Sequence, residues 1–166
     1  MIAGRTEEEL YKKLGLRYIE PEMRENMGEI ELARQNKLPK LIDYNNLKGD
    51  LQVQTNWTDG KDSIEEMAKA AIEVGLQYIV ITDHTKSLAM TGGADEKKLT
   101  KQMAAIDAVN RKLKNKGQKI KVLKGAEVNI GKDGSLDIKD EVLKKLDVVG
   151  AAVHSHFNLS RAEQTK

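Results

Sequence analysis

Gly49-Asp50-Leu51-Gln52-Val53-Gln54-Thr55-Asn56-Trp57-Thr58-Asp59-Gly60 is the stretch around which the 166-residue chain is organised. Apolar Leu51 and Val53 alternate with polar Gln52 and Gln54, and Asp59-Gly60 supplies a turn. Period-two alternation running into a turn predicts a β-strand that enters a loop. Residues two apart on a strand share a face, so both glutamines are expected to point the same way. Polar groups at a strand's end suit chemistry. Neutral amides, however, are poor metal ligands and do not transfer protons near neutral pH.

The composition predicts a soluble domain or part of one. Residues are 33% charged, with no apolar run of membrane-spanning length and no cysteine. A chain without cysteine has no disulfide framework or thiolate metal site, and it suits a reducing, cytoplasmic setting. The acidic start around Glu7-Glu8-Glu9 predicts no secretory signal.

In chain order, Thr6 and Glu9 have capping-box spacing and Gly15 closes a short helix; a second helical patch spans 28–35, and Pro39 interrupts the chain. An extended connector is expected around Pro21. Residues 1–47 thus read as a helical arm, and 48–166 as the principal domain. There, Ser63 and Glu66 cap a helix ended by Gly75. A β-rich run, 76–81, leads to Thr82-Asp83-His84. A long helix, 95–116, carries Leu99, Met103, Ile106 and Leu113 on one face. A strand from Ile120 continues toward Glu127. Asp133-Gly134 signals a hairpin between 128–130 and 136–138. A short helix over 140–146 and a strand over 148–153 lead to His154-Ser155-His156.

This β-α-β-α-β-α-β order predicts a parallel α/β sheet of about four strands. Gln52, Gln54, His84, Glu127 and His154 all fall at the C-terminal ends of its strands, where α/β barrels carry their active sites. A lone histidine there would be read as structural. All three histidines of the chain fall just after such strands, and as a set they favour a metal site.

The motifs Gly49-Asp50-Leu51-Gln52-Val53-Gln54-Thr55, Asp59-Gly60, Thr82-Asp83-His84, Gly125-Ala126-Glu127-Val128 and Val153-His154-Ser155-His156-Phe157-Asn158-Leu159 follow one another in the order seen in the PHP (polymerase and histidinol phosphatase) family. The chain resembles the version fused to bacterial and archaeal family X DNA polymerases. The stretches around Thr6 and around Leu14 to Glu22 look like the connector from a polymerase core. The resemblance implies a distorted (βα)7 barrel, up to three divalent metals of the zinc or manganese kind, and phosphoester hydrolysis on DNA, as in 3′-5′ exonuclease or 3′-end repair. It implies metal positions at Asp59, His84, Glu127 and His154. It also implies degenerate ones at Gln52 and Gln54, where the family carries His-x-His; His156 lies where the family varies and is not assigned.

Imidazole binds zinc well and an amide oxygen binds it weakly, so the first metal position is expected to be weakened. The family's later strands, with an Asp-x-His pair, are not present in the sequence. The expected fold is therefore a partial barrel whose open edges could self-associate.

Residues 97–124 hold ten basic side chains against Asp107 alone, whereas the first 47 residues are nearly neutral. Lys97, Lys98, Lys101, Arg111 and Lys112 are the candidate contacts to a nucleic-acid backbone, set against the plainer reading of a solvated helix face. Three functions follow: a metal-dependent phosphoesterase acting on DNA beside an upstream polymerase core, a non-catalytic module that supports a polymerase or positions DNA, and a small-molecule phosphatase of the histidinol phosphatase type. No membrane partner is expected.

Overall fold

The computed structural model describes residues 4–165. Residues 1–3 of the expected arm and residue 166 of the expected domain lie outside the described residues. The chain divides into two compact units, Met1–Asn46 and Leu47–Lys166.

The first unit holds α1 (Glu7–Lys13) and α2 (Glu29–Arg34), with a small core of Ile19, Ala33 and Leu38. Thr6 accepts from Glu9 N, as the capping spacing predicts, but Glu9 Oε2 accepts from Arg5 N, one residue ahead of the cap. The expected extended connector at Pro21 is instead a 3-10 turn, Pro21–Met23. Proline at the first position presets its φ and lacks an N–H that would go unbonded there.

The second unit contains β1 (Gly49–Val53), α3 (Ile64–Glu73), β2 (Tyr78–Ile81), α4 (Glu96–Asn115), β3 (Lys121–Asn129), α5 (Asp140–Leu143), β4 (Val148–Ala152) and α6 (Arg161–Gln164). All three strand pairs are parallel, in the order β1-β2-β3-β4. Each crossover advances the sheet by one strand and never reverses. That is barrel winding, without the switch point of an open doubly wound sheet. The unit is thus part of an α/β barrel.

Helices α3 and α4 bury Ile64, Ala68, Ile106 and Leu113 against Val53, Ile79, Ile81 and Val122. A second cluster joins Leu99 and Met103 of α4 to Ala126 and Val128 of β3 and Val142 of α5. The Ser63–Glu66 capping box is formed in both directions, and Gly75 and Gly117 take positive φ just past α3 and α4. Gly125 lets strands β2 and β3 approach: a Cβ there would meet Val80 Cγ1 at 2.6 Å and Ile81 O at 2.7 Å. Pairing of β3 with β4 begins only at Gly125. Before that point Asn110 of α4 serves both backbone groups of Val122, at 2.7 and 2.9 Å, so neither is left unbonded.

Leu51, which shares the apolar alternation with Val53, is 56% exposed; β1 is an edge strand and its register breaks between Asp50 and Val53. One local expectation changes. The hairpin at Asp133-Gly134 forms its turn but pairs through one bridge, Ile130 with Leu136. Its first arm is the end of β3, and its second turns away as Asp137 engages Thr85 and Asn129.

Candidate metal centre

Past β2 the sheet continues for three residues without regular strand geometry. Glu127 N donates to Asp83 O at 3.2 Å and Thr85 N donates to Glu127 O at 3.2 Å. These two bonds fix His84 beside Glu127. His84 Nδ1 lies 3.6 Å from Glu127 Oε2, and its Nε2 lies 3.7 Å from Asp59 Oδ2. From the next strand end, His154 Nε2 stands 3.0 Å from Glu127 Oε1. The two imidazoles meet edge to face, with centroids 5.3 Å apart.

His84, Glu127 and His154 each offer a ligand atom, all within 4.8 Å of one another. Two imidazoles and a carboxylate form a donor set suited to first-row divalent cations. His84 Nδ1 is buried and has no hydrogen-bond partner. A buried polar nitrogen without a partner is uncommon and costly, and an unbonded imidazole nitrogen facing a carboxylate is a position that a cation would satisfy. The residues therefore fit a divalent metal. Asp59 stands on the other side of His84, is 42% exposed and lies outside this cluster.

Gln52 of β1 and Gln54, one residue past its end, reach the same carboxylate across the intervening β2. Their Nε2 atoms donate to Glu127 Oε2 at 2.5 and 3.2 Å. An ionised carboxylate only accepts, so both amides must turn their nitrogens toward it. The shared face expected from their spacing is thus realised by a common acceptor.

Two supporting networks lie behind the centre. Asp83 is fully buried and accepts from Thr55 N, Thr55 Oγ1, Thr58 Oγ1 and Gln102 Nε2, at 2.5–2.7 Å. It ties the loop bearing Asp59 to α4. The second network starts at Asp137, which accepts from Thr85 Oγ1, Ser87 N, Asn129 N and Asn129 Nδ2. Burial pushes its carboxyl up, but the bonds from Ser87, Thr85 and Asn129 outweigh it and hold the pKa below the ordinary value. With its nitrogen committed to Asp137 and Thr85, Asn129 turns its oxygen to His154 Nδ1 at 2.7 Å. That imidazole nitrogen therefore carries the hydrogen, and in the neutral ring the lone pair lies on Nε2, facing Glu127.

Sequence reading missed Asp83, Asn129 and Asp137 as supports. The signal available was the polar Asn129 two residues beyond Glu127, on the same strand face. His156 lies apart, lining a separate cavity of about 850 Å3 with Val153, Ser155 and Glu163.

Of the basic residues on α4, Lys112 is paired with Glu65 at 2.8 Å and Lys98 Nζ donates to Gly92 O at 2.8 Å. Lys97, Lys101 and Arg111 are exposed. No helix among the described residues is long and apolar enough to cross a membrane.

Comparison with known proteins agrees with this geometry. The model of the PHP domain matches residues 50–164, and that of the DNA polymerase beta thumb matches residues 1–25. The chain is 41% identical over 153 residues to the DNA polymerase/3′-5′ exonuclease PolX of Bacillus subtilis (strain 168), covering 92% of this chain and 26% of that protein. It is 36% identical over 93 residues to a probable phosphatase of Thermoanaerobacter sp. (strain X514), covering 55% of this chain and 34% of the relative. The chain thus spans between about a quarter and a third of the relatives it matches. With the motif residues gathered at the C-terminal ends of a barrel-wound sheet, and the PHP match running across nearly all of the second unit, the chain belongs to the PHP domain family.

Proposed function

We propose that His84, Glu127 and His154 hold a divalent cation, zinc or manganese, and that the centre serves phosphoester hydrolysis on DNA, with Asp59 as a further ligand beside His84. The unpartnered, buried His84 Nδ1 is the observation that carries this reading. The PolX relative is named as a 3′-5′ exonuclease and the shorter relatives as probable phosphatases, which supports phosphoester chemistry. The thumb match over residues 1–25 supports a polymerase core preceding this domain in the parent protein. When bound, the cation would supply charge for the phosphate oxygens and lower the pKa of water. The chain's own part is to orient: Asn129 fixes the His154 tautomer, and the sheet bonds at Glu127 fix His84.

Gln52 and Gln54 stand where the family motif has histidines, and here they weaken the centre. Their amides bind Glu127 Oε2, so a cation must displace two donors to use that oxygen. This same observation favours a second reading, a module that positions DNA without cutting it.

Elemental analysis and hydrolysis of a 3′-labelled oligonucleotide, run on this chain and on the Gln52→His/Gln54→His variant, separate the two. Impaired catalysis predicts low metal-dependent turnover in the parent and a rise of about tenfold or more in the variant, which gains two imidazoles; tenfold corresponds to about 1.4 kcal/mol. Turnover absent from both, with metal bound, supports the positioning module. A variant that gains neither metal nor turnover overturns the assignment of the ligands.

A further inference from the structure

An open cavity of about 500 Å3 is lined by Trp57, Gly93, Asp95, Lys97, Lys98 and Lys101. That volume is ample for a nucleotide. Trp57 is the only tryptophan of the chain. It is half-buried, packs against the core cluster that includes Ile64 of α3 and Ile106 of α4, and lines the cavity. Lys97 and Lys101 are one helical turn apart on α4 and so share a face. Among the described residues neither has an ion-pair partner, unlike Lys86, Lys112 and Lys124, which face Glu96, Glu65 and Asp107. Lys98 is held to Gly92 O, and the one acid of the lining, Asp95, caps the helix by accepting from Lys98 N at 2.7 Å. Three ammonium groups against one carboxylate leave the cavity cationic.

The chain joins this cavity to the centre on both sides. Trp57 precedes Asp59 by two residues. Gly93 precedes Ala94, whose N donates to His84 O at 2.8 Å. Gly93 also packs directly on Thr85, since a Cβ there would come within 2.0 Å of Thr85 O. On the phosphoester reading, a strand held in the cavity would run toward His84.

We propose that Trp57, Lys97 and Lys101 form a binding cleft for single-stranded nucleic acid, one base resting against the indole and the flanking phosphates on the two lysines. Stacking on an aromatic ring tolerates any base, and the lysines add an attraction screened by salt. The direction of the strand rests on the phosphoester reading above; the binding itself does not.

The single tryptophan makes its own fluorescence the probe. The chain is titrated with an oligothymidylate and, separately, with thymidine monophosphate, in EDTA so that the outcome is independent of the metal. The oligonucleotide is expected to quench Trp57 saturably and to bind at least tenfold more tightly than the mononucleotide. The Lys97→Ala/Lys101→Ala variant is expected to weaken binding and to lower the salt slope by about 1.4, at roughly 0.7 per phosphate contact on a single strand. Trp57→Ala, followed by the anisotropy of a labelled oligonucleotide, is expected to bind about tenfold more weakly, within the 1–3 kcal/mol typical of one stacked base, and Trp57→Phe to recover part of the loss. Lys144→Ala/Lys145→Ala, just past the C-terminal end of α5, is expected to leave binding unchanged. Absence of quenching, equal affinity for the mononucleotide, or a lysine variant that binds as the parent does overturns the proposal. With Zn2+ or Mn2+ restored, binding of the strand without hydrolysis by either the parent or Gln52→His/Gln54→His overturns the catalytic reading and leaves the cleft standing.

Discussion

Gln52 Nε2 donates to Glu127 Oε2 over 2.5 Å, from a strand two positions away in the sheet. The amide therefore sits on the carboxylate oxygen that also faces His84 Nδ1. A donor in that place competes with a cation. Replacing it by an apolar residue of similar length, Gln52→Met, should raise metal affinity about tenfold, since a hydrogen bond to a charged group contributes roughly 1.5 kcal/mol or more. Calorimetric titration with Zn2+ or Mn2+ measures it. A fall in affinity would instead make Gln52 a ligand.

Asn129 and Asp137 touch no reacting group, yet they decide which nitrogen of His154 faces Glu127. Asp137→Ala frees the Asn129 amide to turn over. Metal affinity should drop about 10- to 100-fold, as is usual when a group that orients a ligand is lost. In the nitrogen-15 spectrum of the imidazole, the His154 tautomer should change from Nδ1–H toward a mixture. An unchanged tautomer with reduced affinity would point to general destabilisation.

Asp137 also sets an acid response. Its folded pKa lies below the ordinary 3.8, so its contribution to stability is complete above that value. It is lost as pH falls through the lower folded pKa. The stability difference between the parent and Asp137→Asn should be constant from pH 7 to about 5 and shrink below 3.8. Urea unfolding at stepped pH tests the sign; a difference that grows on acidification contradicts it.

Asp83 holds four donors in a site with no exposure. Asp83→Ala leaves Thr55 N and Gln102 Nε2 buried and unbonded, and should cost roughly 3 kcal/mol or more, at 1–3 kcal/mol for each such group. The loop bearing Asp59 should loosen with it. Hydrogen exchange at Thr55 and Trp57 would report that loosening, and native-like protection there would argue against it.

Much of this was legible in the sequence because local rules decide it. Alternation and capping residues place β1, α3, β2 and α4, and the strand ends then carry the motif residues. What escaped depends on contacts between distant residues. Nothing near Asp83 in the chain announces Gln102, nor does Asp133-Gly134 announce that Asp137 will be taken by Thr85. Leu51 follows the alternation but lies on an edge strand, which sequence pattern alone does not mark. Helix α6 was legible and overlooked: Ser160 and Glu163 form a complete capping box. Trp57 escaped because its role lies in a cavity shared with a helix some forty residues on.

A divalent-metal centre on His84, Glu127 and His154, weakened by the two glutamines, is read out by Zn2+ and Mn2+ affinity across three proteins: the parent, Gln52→His/Gln54→His, and His84→Ala. The expected order is the double variant tightest, the parent at least about tenfold weaker, and His84→Ala weaker again by a similar factor, each step being the loss of imidazole donors from one site. Equal affinities in all three, or no saturable binding by the double variant, would contradict the account.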